Sequence, residues 1–261
     1  MEPGEAWTIE RGQLPIIATA IHAGHGVRPE VADLFGISEA DRLREEDPFT
    51  DRWTEVAFNR VIVHRSRFEV DLNRPREKAI YLDPADSFDL KVWRTMPSEA
   101  VCHRSLEVYD GFYEAFRDLC NEVESAYGRF VVLDLHSYNH RRSGPDAPVD
   151  APENNPEVNV GTGSMDRTRW SGLVDRFMKD LSEAPFDGGY LDVRENVRFQ
   201  GGYLSRWVHE NYPTSGCALA VEVTTIFMDE WTGKPDNTLI EDIKRALKST
   251  VPGVLEELEK L

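Results

Sequence analysis

The 261-residue sequence has only three cysteines, Cys102, Cys120 and Cys217, far apart and without a CxxC pair. That scarcity argues against a disulfide framework or a cysteine-based zinc site, and it fits a reducing cytosol. Long apolar runs are missing too: no stretch nears the roughly 20 residues that a membrane helix needs. The opening "MEPGEAWTIERG" carries acids and no apolar segment, so it does not read as a secretory signal. Positive charge is short, with 30 Lys and Arg against 47 Asp and Glu, a formal charge of −17. A chain this acidic lacks the basic face that nucleic acid or an anionic membrane demands. Lysine is scarce beside arginine, the better residue for bidentate capture of a carboxylate. A small anionic ligand would therefore need a local arginine cluster. Internal repeats and low-complexity linkers are absent as well. With 40% apolar and 10% aromatic residues, the composition is globular and favours a single domain with a substantial core.

What is present alternates. Apolar runs at 16–21, 60–64, 130–135 and 217–223 read as strands, and helical spacing of apolar residues marks 98–127, 170–181 and 239–247. Pro252 is expected to break or restart the last helix. Strands alternating with helices imply an α/β fold in layers, around a mixed, mostly parallel sheet. The Pro-, Gly- and Asn-rich segment 141–164 is too long for a plain connection and reads as a functional loop.

Chemistry gathers at strand ends. In "ATAIHAGHGVRPE" an apolar strand delivers His22 to its carboxyl end, with His25 shortly after; in "RFVVLDLHSYNH" another delivers His136, with Asp134 two residues earlier on the same face. In a parallel sheet both histidines open onto one edge, where such folds place their ligand crevice. Two imidazoles and a carboxylate, with one position left for water, make a catalytic zinc set. The third ligand would come from Glu45, Glu46, Asp47 or Asp51, although an acid run is also an ordinary solvated face. The alternation of "SRFEVDLNRP", 66–75, reads as a half-buried strand ending in Asn73 and Arg74. Arg74 is a candidate to grip a substrate carboxylate, whereas Arg67 serves equally well in a salt bridge with Glu69 or Asp71. Gly201-Gly202 admits a ligand close to the backbone, or simply a tight turn. Glu222 interrupts the apolar strand "CALAVEV"; a buried acid there suits a general base, or is neutralised by an arginine such as Arg198.

Taken together, these segments resemble the N-formylglutamate amidohydrolase family. The resemblance lies in strand-His-x-Gly at 22–24, the acidic pair before a helix, "SRFEVDLNRP", "DLHS" at 134–137, "FQGGYLSR" at 199–206 and "ALAVEVTTIFMDE" at 218–230, in the family's order. It implies a three-layer sandwich similar to the zinc exopeptidases, and hydrolysis of an N-acyl amino acid such as N-formyl-L-glutamate in the cytoplasm. By the same resemblance, His22, Asp47 and His136 would bind Zn2+, with Glu46 the rival to Asp47, and Glu222 would be the general base. Arg74 would clamp the substrate carboxylate with Asn73 beside it, and Arg198 and Gly202 would line the pocket. The chain departs from the family pattern at Ile21, where proline is usual, and in the additional His25.

Overall fold

A computed structural model describes residues 5–87 and 89–261; the start of the acidic opening, residues 1–4, lies outside them. In chain order the elements are β1 (Trp7–Glu10), β2 (Ile16–Ala20), α1 (Pro29–Ala32), α2 (Glu39–Glu45), α3 (Thr50–Trp53), β3 (Asn59–Val63) and the long α4 (Glu99–Tyr127). Then come β4 (Phe130–Tyr138), β5 (Val158–Gly161), α5 (Ser171–Glu183), a hairpin of β6 (Pro185–Phe186) and β7 (Gly189–Tyr190), β8 (Val193–Glu195), α6 (Tyr203–Asn211), β9 (Gly216–Thr224) and α7 (Asn237–Lys260). Seven strands form one sheet in the order β1-β3-β2-β4-β9-β5-β8. The central strands β3, β2, β4 and β9 run parallel, β1 pairs antiparallel to β3 and β5 antiparallel to β9, and β8 runs parallel to β5.

The middle strands bury side chains on both faces, which is why β2, β4 and β9 read as apolar runs without alternation. On one face Val131, Leu133, Leu219 and Val221 pack against Phe177 of α5 and Ile243 and Leu247 of α7. On the other, Val132 and Ala218 meet Phe112 and Phe116 of α4 and Leu204 and Val208 of α6. The result is a three-layer α/β/α sandwich. No helix among the described residues is long and apolar enough to cross a membrane.

Three expectations are corrected. Helix α7 passes through Pro252 unbroken. The proline costs a hydrogen bond, on the order of 3 kcal/mol, but Ile240, Ile243 and Leu247 before it and Val254 and Leu258 after it are all buried. Packing on both sides keeps the axis. Residues 158–161, taken as part of a long loop, form β5 and pair with β9. Segment 66–75 is a series of turns, with Glu69 N–H donating to the Ser66 carbonyl at 3.0 Å and Asp71 N–H to that of Ala79 at 2.7 Å. Its alternation misleads because the polar members are buried as deeply as the apolar ones: Ser66, Glu69 and Asp71 are each at most 1% exposed.

Candidate metal centre and its cavity

His22 leaves the end of β2 and His136 lies near the end of β4; the two strands pair in parallel, so both side chains reach one edge of the sheet. Their rings sit 4.9 Å apart, centre to centre. Asp47 follows α2 in a turn whose backbone is fixed to the same edge, its N–H donating to the His22 carbonyl at 2.9 Å. All three side chains are buried, and their ligand atoms lie within 4.8 Å of one another. Asp47 Oδ2 is 3.4 Å from His22 Nδ1 and 2.8 Å from His136 Nδ1.

The far side of each imidazole is held by another carboxylate. Asp71 Oδ1 lies 2.7 Å from His22 Nε2, and Asp134 Oδ2 lies 3.1 Å from His136 Nε2, with Thr19 donating to Asp134 Oδ1 at 2.7 Å. The Asp71 carboxylate at His22 Nε2 favours the proton there and turns the Nδ1 lone pair towards Asp47, as outer partners of metal-binding histidines do. Asp71 is itself anchored by Arg67 at 3.1 Å and by the Tyr81 hydroxyl. Burial pushes the Asp71 pKa up, but Arg67 and His22 outweigh it and hold the carboxyl well below its usual range. Burial likewise pushes Asp47 up, and its bonds to His136 and His22 bring it down. For His136 burial disfavours the cation, yet Asp134, Glu222 and Asp47 together raise its pKa well above the usual value.

Glu222 stands beside His136 in the register of β4 and β9 and lines the same cavity. Desolvation, opposed by His136 and reinforced by Asp47, pushes its pKa up to about 7. Four carboxylates, Asp47, Asp71, Asp134 and Glu222, thus face two imidazoles and the mostly buried Arg67. With the imidazoles neutral, as metal ligation requires, this is an excess of negative charge that a bound cation, or a proton on His136 in its absence, must offset. The donor set, the outer carboxylates and the charge all fit a divalent cation.

The cavity, about 320 Å³, is lined by His22, Asp47, His136, Glu222 and Arg67 and by Arg74, Arg142, Arg198, Gly201 and Gly202. Its size suits a small metabolite, at the low end of the roughly 300–1,000 Å³ of ligand pockets. Arg74 approaches Asp71 at 3.7 Å and the Asp86 carbonyl at 3.5 Å, its side chain 43% exposed. Among the described residues Arg198 forms no ion pair with Glu222; it bonds Asn155 instead and lies over the Tyr138 and Phe199 rings at 5.4 and 5.6 Å. Arg67 forms the salt bridge with Asp71, whereas Glu69 pairs with Arg28 at 2.7 Å. Asn73 accepts the Leu204 N–H at 3.0 Å and places Nδ2 3.4 Å from His136, packed so closely on Gly202 that a Cβ there would fall 2.2 Å from its side chain.

Glu46, the rival to Asp47, also lines the cavity but bonds Ser66 and His25 and is not among the three converging donors. The structure also brings in residues the sequence did not single out. Tyr81 supports Asp71, and Asn159, fully buried opposite Glu222 on β5, accepts the Arg198 N–H at 2.9 Å and donates to the Phe199 carbonyl at 2.8 Å. An isolated Asn inside the apolar strand "VNV" was the available signal, of the same kind that marked Glu222.

A model of the N-formylglutamate amidohydrolase family matches residues 14–226. The N-formylglutamate deformylase of Pseudomonas aeruginosa is 27% identical over 271 aligned positions, covering 97% of this chain and 96% of that protein. The crystal structure of N-formylglutamate amidohydrolase from Ralstonia eutropha superposes with a TM-score of 0.77 at 17% identity, over 98% of this chain and 99% of that one. A protein of known structure from Agrobacterium tumefaciens gives 0.61 at 19% identity, over 98% and 96%. At those identities the two structures speak for the fold alone, but the family match spans most of the sequence and includes every residue of the cluster. The chain belongs to the N-formylglutamate amidohydrolase family, hydrolases that act on a carbon–nitrogen amide bond.

Proposed function

We propose that this chain hydrolyses N-formyl-L-glutamate to formate and glutamate, in the cytoplasm and with one Zn2+ bound. The observation that carries the reading is the cavity in which three buried donors converge beside Glu222 under an arginine-bearing rim. The name of the Pseudomonas relative supports the choice of substrate. His22, Asp47 and His136 would hold the cation, which when bound polarises an acyl carbonyl and acidifies a water molecule.

The chain's own residues do the rest. Glu222, as carboxylate, takes the proton that the attacking water gives up. It then delivers that proton to the departing amine, so the acyl carbon gains hydroxyl, the nitrogen gains hydrogen, and the C–N bond breaks. Arg74 grips the amino acid's carboxylate, and the fixed geometry removes much of the entropic cost of reaching the reacting arrangement. Arg198, steadied on two aromatic rings, offers a second positive group to a substrate with two carboxylates. Asn73 and Gly202 shape the wall between them.

The test is formate release from N-formylglutamate, N-formylglutamine and N-formylleucine, and acetate release from N-acetylglutamate, by protein dialysed against a chelator and then resupplied with zinc. The account expects turnover of N-formylglutamate above the others, and only with metal restored. Preference for the acetyl compound would move the acyl assignment to a related zinc amidase. No turnover of any of them would leave a binding protein on this scaffold.

A further inference from the structure

We infer that Glu46, clamped by His25 and Ser66, is a positioning residue that holds Asp47 against the imidazoles. The inference rests on the reading of His22, Asp47 and His136 as a cation site. Glu46 is 3% exposed, and its two oxygens bind separate segments: Oε1 accepts from Ser66 Oγ, and Oε2 meets His25 Nδ1. Arg42, one turn back on α2, approaches Glu46 at 3.7 Å and places Nη2 3.0 Å from His25 Nε2. Each segment tied to this carboxylate carries part of the cluster. His25 follows His22, Ser66 opens the turns that deliver Asp71, and Glu46 itself precedes Asp47.

The turn needs such a tie. Phe49, two residues beyond Asp47, has a φ of 71°, a left-handed conformation that a bulky non-glycine residue adopts only when its surroundings impose it. After Asp47 the chain is held by Thr50 Oγ1, which donates to the Asp47 carbonyl at 2.7 Å. Before Asp47 it is held by Glu46. A buried carboxylate with partners on both oxygens cannot rotate without leaving polar groups unpaired, so it fixes the residue that follows it. Glu46 lines the cavity wall, but its carboxylate is taken up by Ser66 and His25, so it acts through Asp47, and His25, at the outer side of the clamp, shares that role.

The experiment measures Zn2+ affinity by chelator competition and the visible absorption of the Co2+-substituted protein, with melting temperatures alongside. It compares the wild type with Glu46→Ala, Glu46→Gln, His25→Leu and His25→Gln. Loss of an outer-shell partner costs roughly 10- to 100-fold in metal affinity. Glu46→Ala and His25→Leu, one contact further from the ligands, are expected to reach the lower end of that range, about 10-fold, and to change the Co2+ bands. The glutamine variants, which keep a hydrogen-bonding group in reach of the partner, recover most of the affinity. Wild-type affinity and an unchanged Co2+ spectrum in Glu46→Ala and His25→Leu, whatever their melting temperatures, would overturn the inference and leave the cluster merely structural. Should Glu46→Ala fail to fold, His25→Leu decides, because the His25 side chain is 32% exposed. A wild type that binds no cation, or a His22→Ala variant that binds as tightly as the wild type, overturns the metal-site reading itself and this inference with it.

Discussion

Replacing Asp71 with asparagine separates the outer carboxylate's effect from side-chain size. Asp71 is fully buried and accepts from four groups: His22 Nε2 at 2.7 Å, the Asn73 N–H at 2.8 Å, Arg67 Nη2 at 3.1 Å and the Tyr81 hydroxyl. An amide of the same shape has one oxygen and one NH2 to offer. With the oxygen towards His22, the NH2 meets the Arg67 donor; with the NH2 towards His22, the imidazole Nε2 must accept, the proton moves to Nδ1, and the ligand lone pair is lost. Either orientation weakens the site. Metal affinity should fall about 10- to 100-fold, or roughly 1.4–2.8 kcal/mol. Removing the partner of the mostly buried Arg67 should cost roughly 3 kcal/mol of stability, which for a chain of this size is a melting temperature lower by on the order of 10 °C. Chelator competition gives the first quantity and thermal unfolding of the metal-free protein the second. An Asp71→Asn protein that binds zinc as tightly as the wild type would refute the role given to this carboxylate.

Other outcomes follow from the same geometry. Glu222→Gln should lower kcat by about 10²–10⁴ while zinc content stays unchanged. The acid limb of the wild-type kcat/KM profile should titrate below the pKa of about 7 that Glu222 has without a cation, since a bound cation favours its carboxylate. Gly202→Ala should displace Asn73, whose side chain the new Cβ would meet at 2.2 Å, and reduce activity with little loss of helical signal in circular dichroism. His209 is a test of stability rather than activity. It is buried, accepts the Ala218 N–H at 2.9 Å and lies 2.8 Å from the Ser164 hydroxyl, and burial lowers its pKa to about 4. The unfolded chain takes up a proton near pH 6.5 that the folded one refuses until about pH 4. This stability is therefore fully present above pH 6.5 and is lost as pH falls through that window, to a total of about 3 kcal/mol. Urea denaturation at pH 7 and pH 5 should show a steeper acid loss for the wild type than for His209→Gln; equal slopes would contradict the assignment.

The sequence showed some of this molecule clearly and hid the rest for physical reasons. Strands β2, β4 and β9 were legible because a strand covered on both faces must be apolar throughout, and His22, His136 and Glu222 stood out as interruptions of such runs. Strand β8 was not: it is three residues long, only half-buried, and reads "VRE". The turns of 66–73 imitated a strand because their polar residues are buried inside a hydrogen-bonded network that no pattern of hydrophobicity reports. The same network hid Asp71, which in sequence is one more acid near an arginine. The orientations of Asp47 and Glu46 depend on a turn with a left-handed residue at Phe49, and that conformation is imposed by packing and not announced by the residue type.

Metal content of the purified protein, measured by elemental analysis beside a His22→Ala/His136→Ala double variant, tests the central claim most directly. The account predicts about one zinc per chain in the wild type and none in the double variant, with the fold of the variant verified by circular dichroism. No metal in either protein after zinc is supplied, or the same zinc content in both, would contradict it.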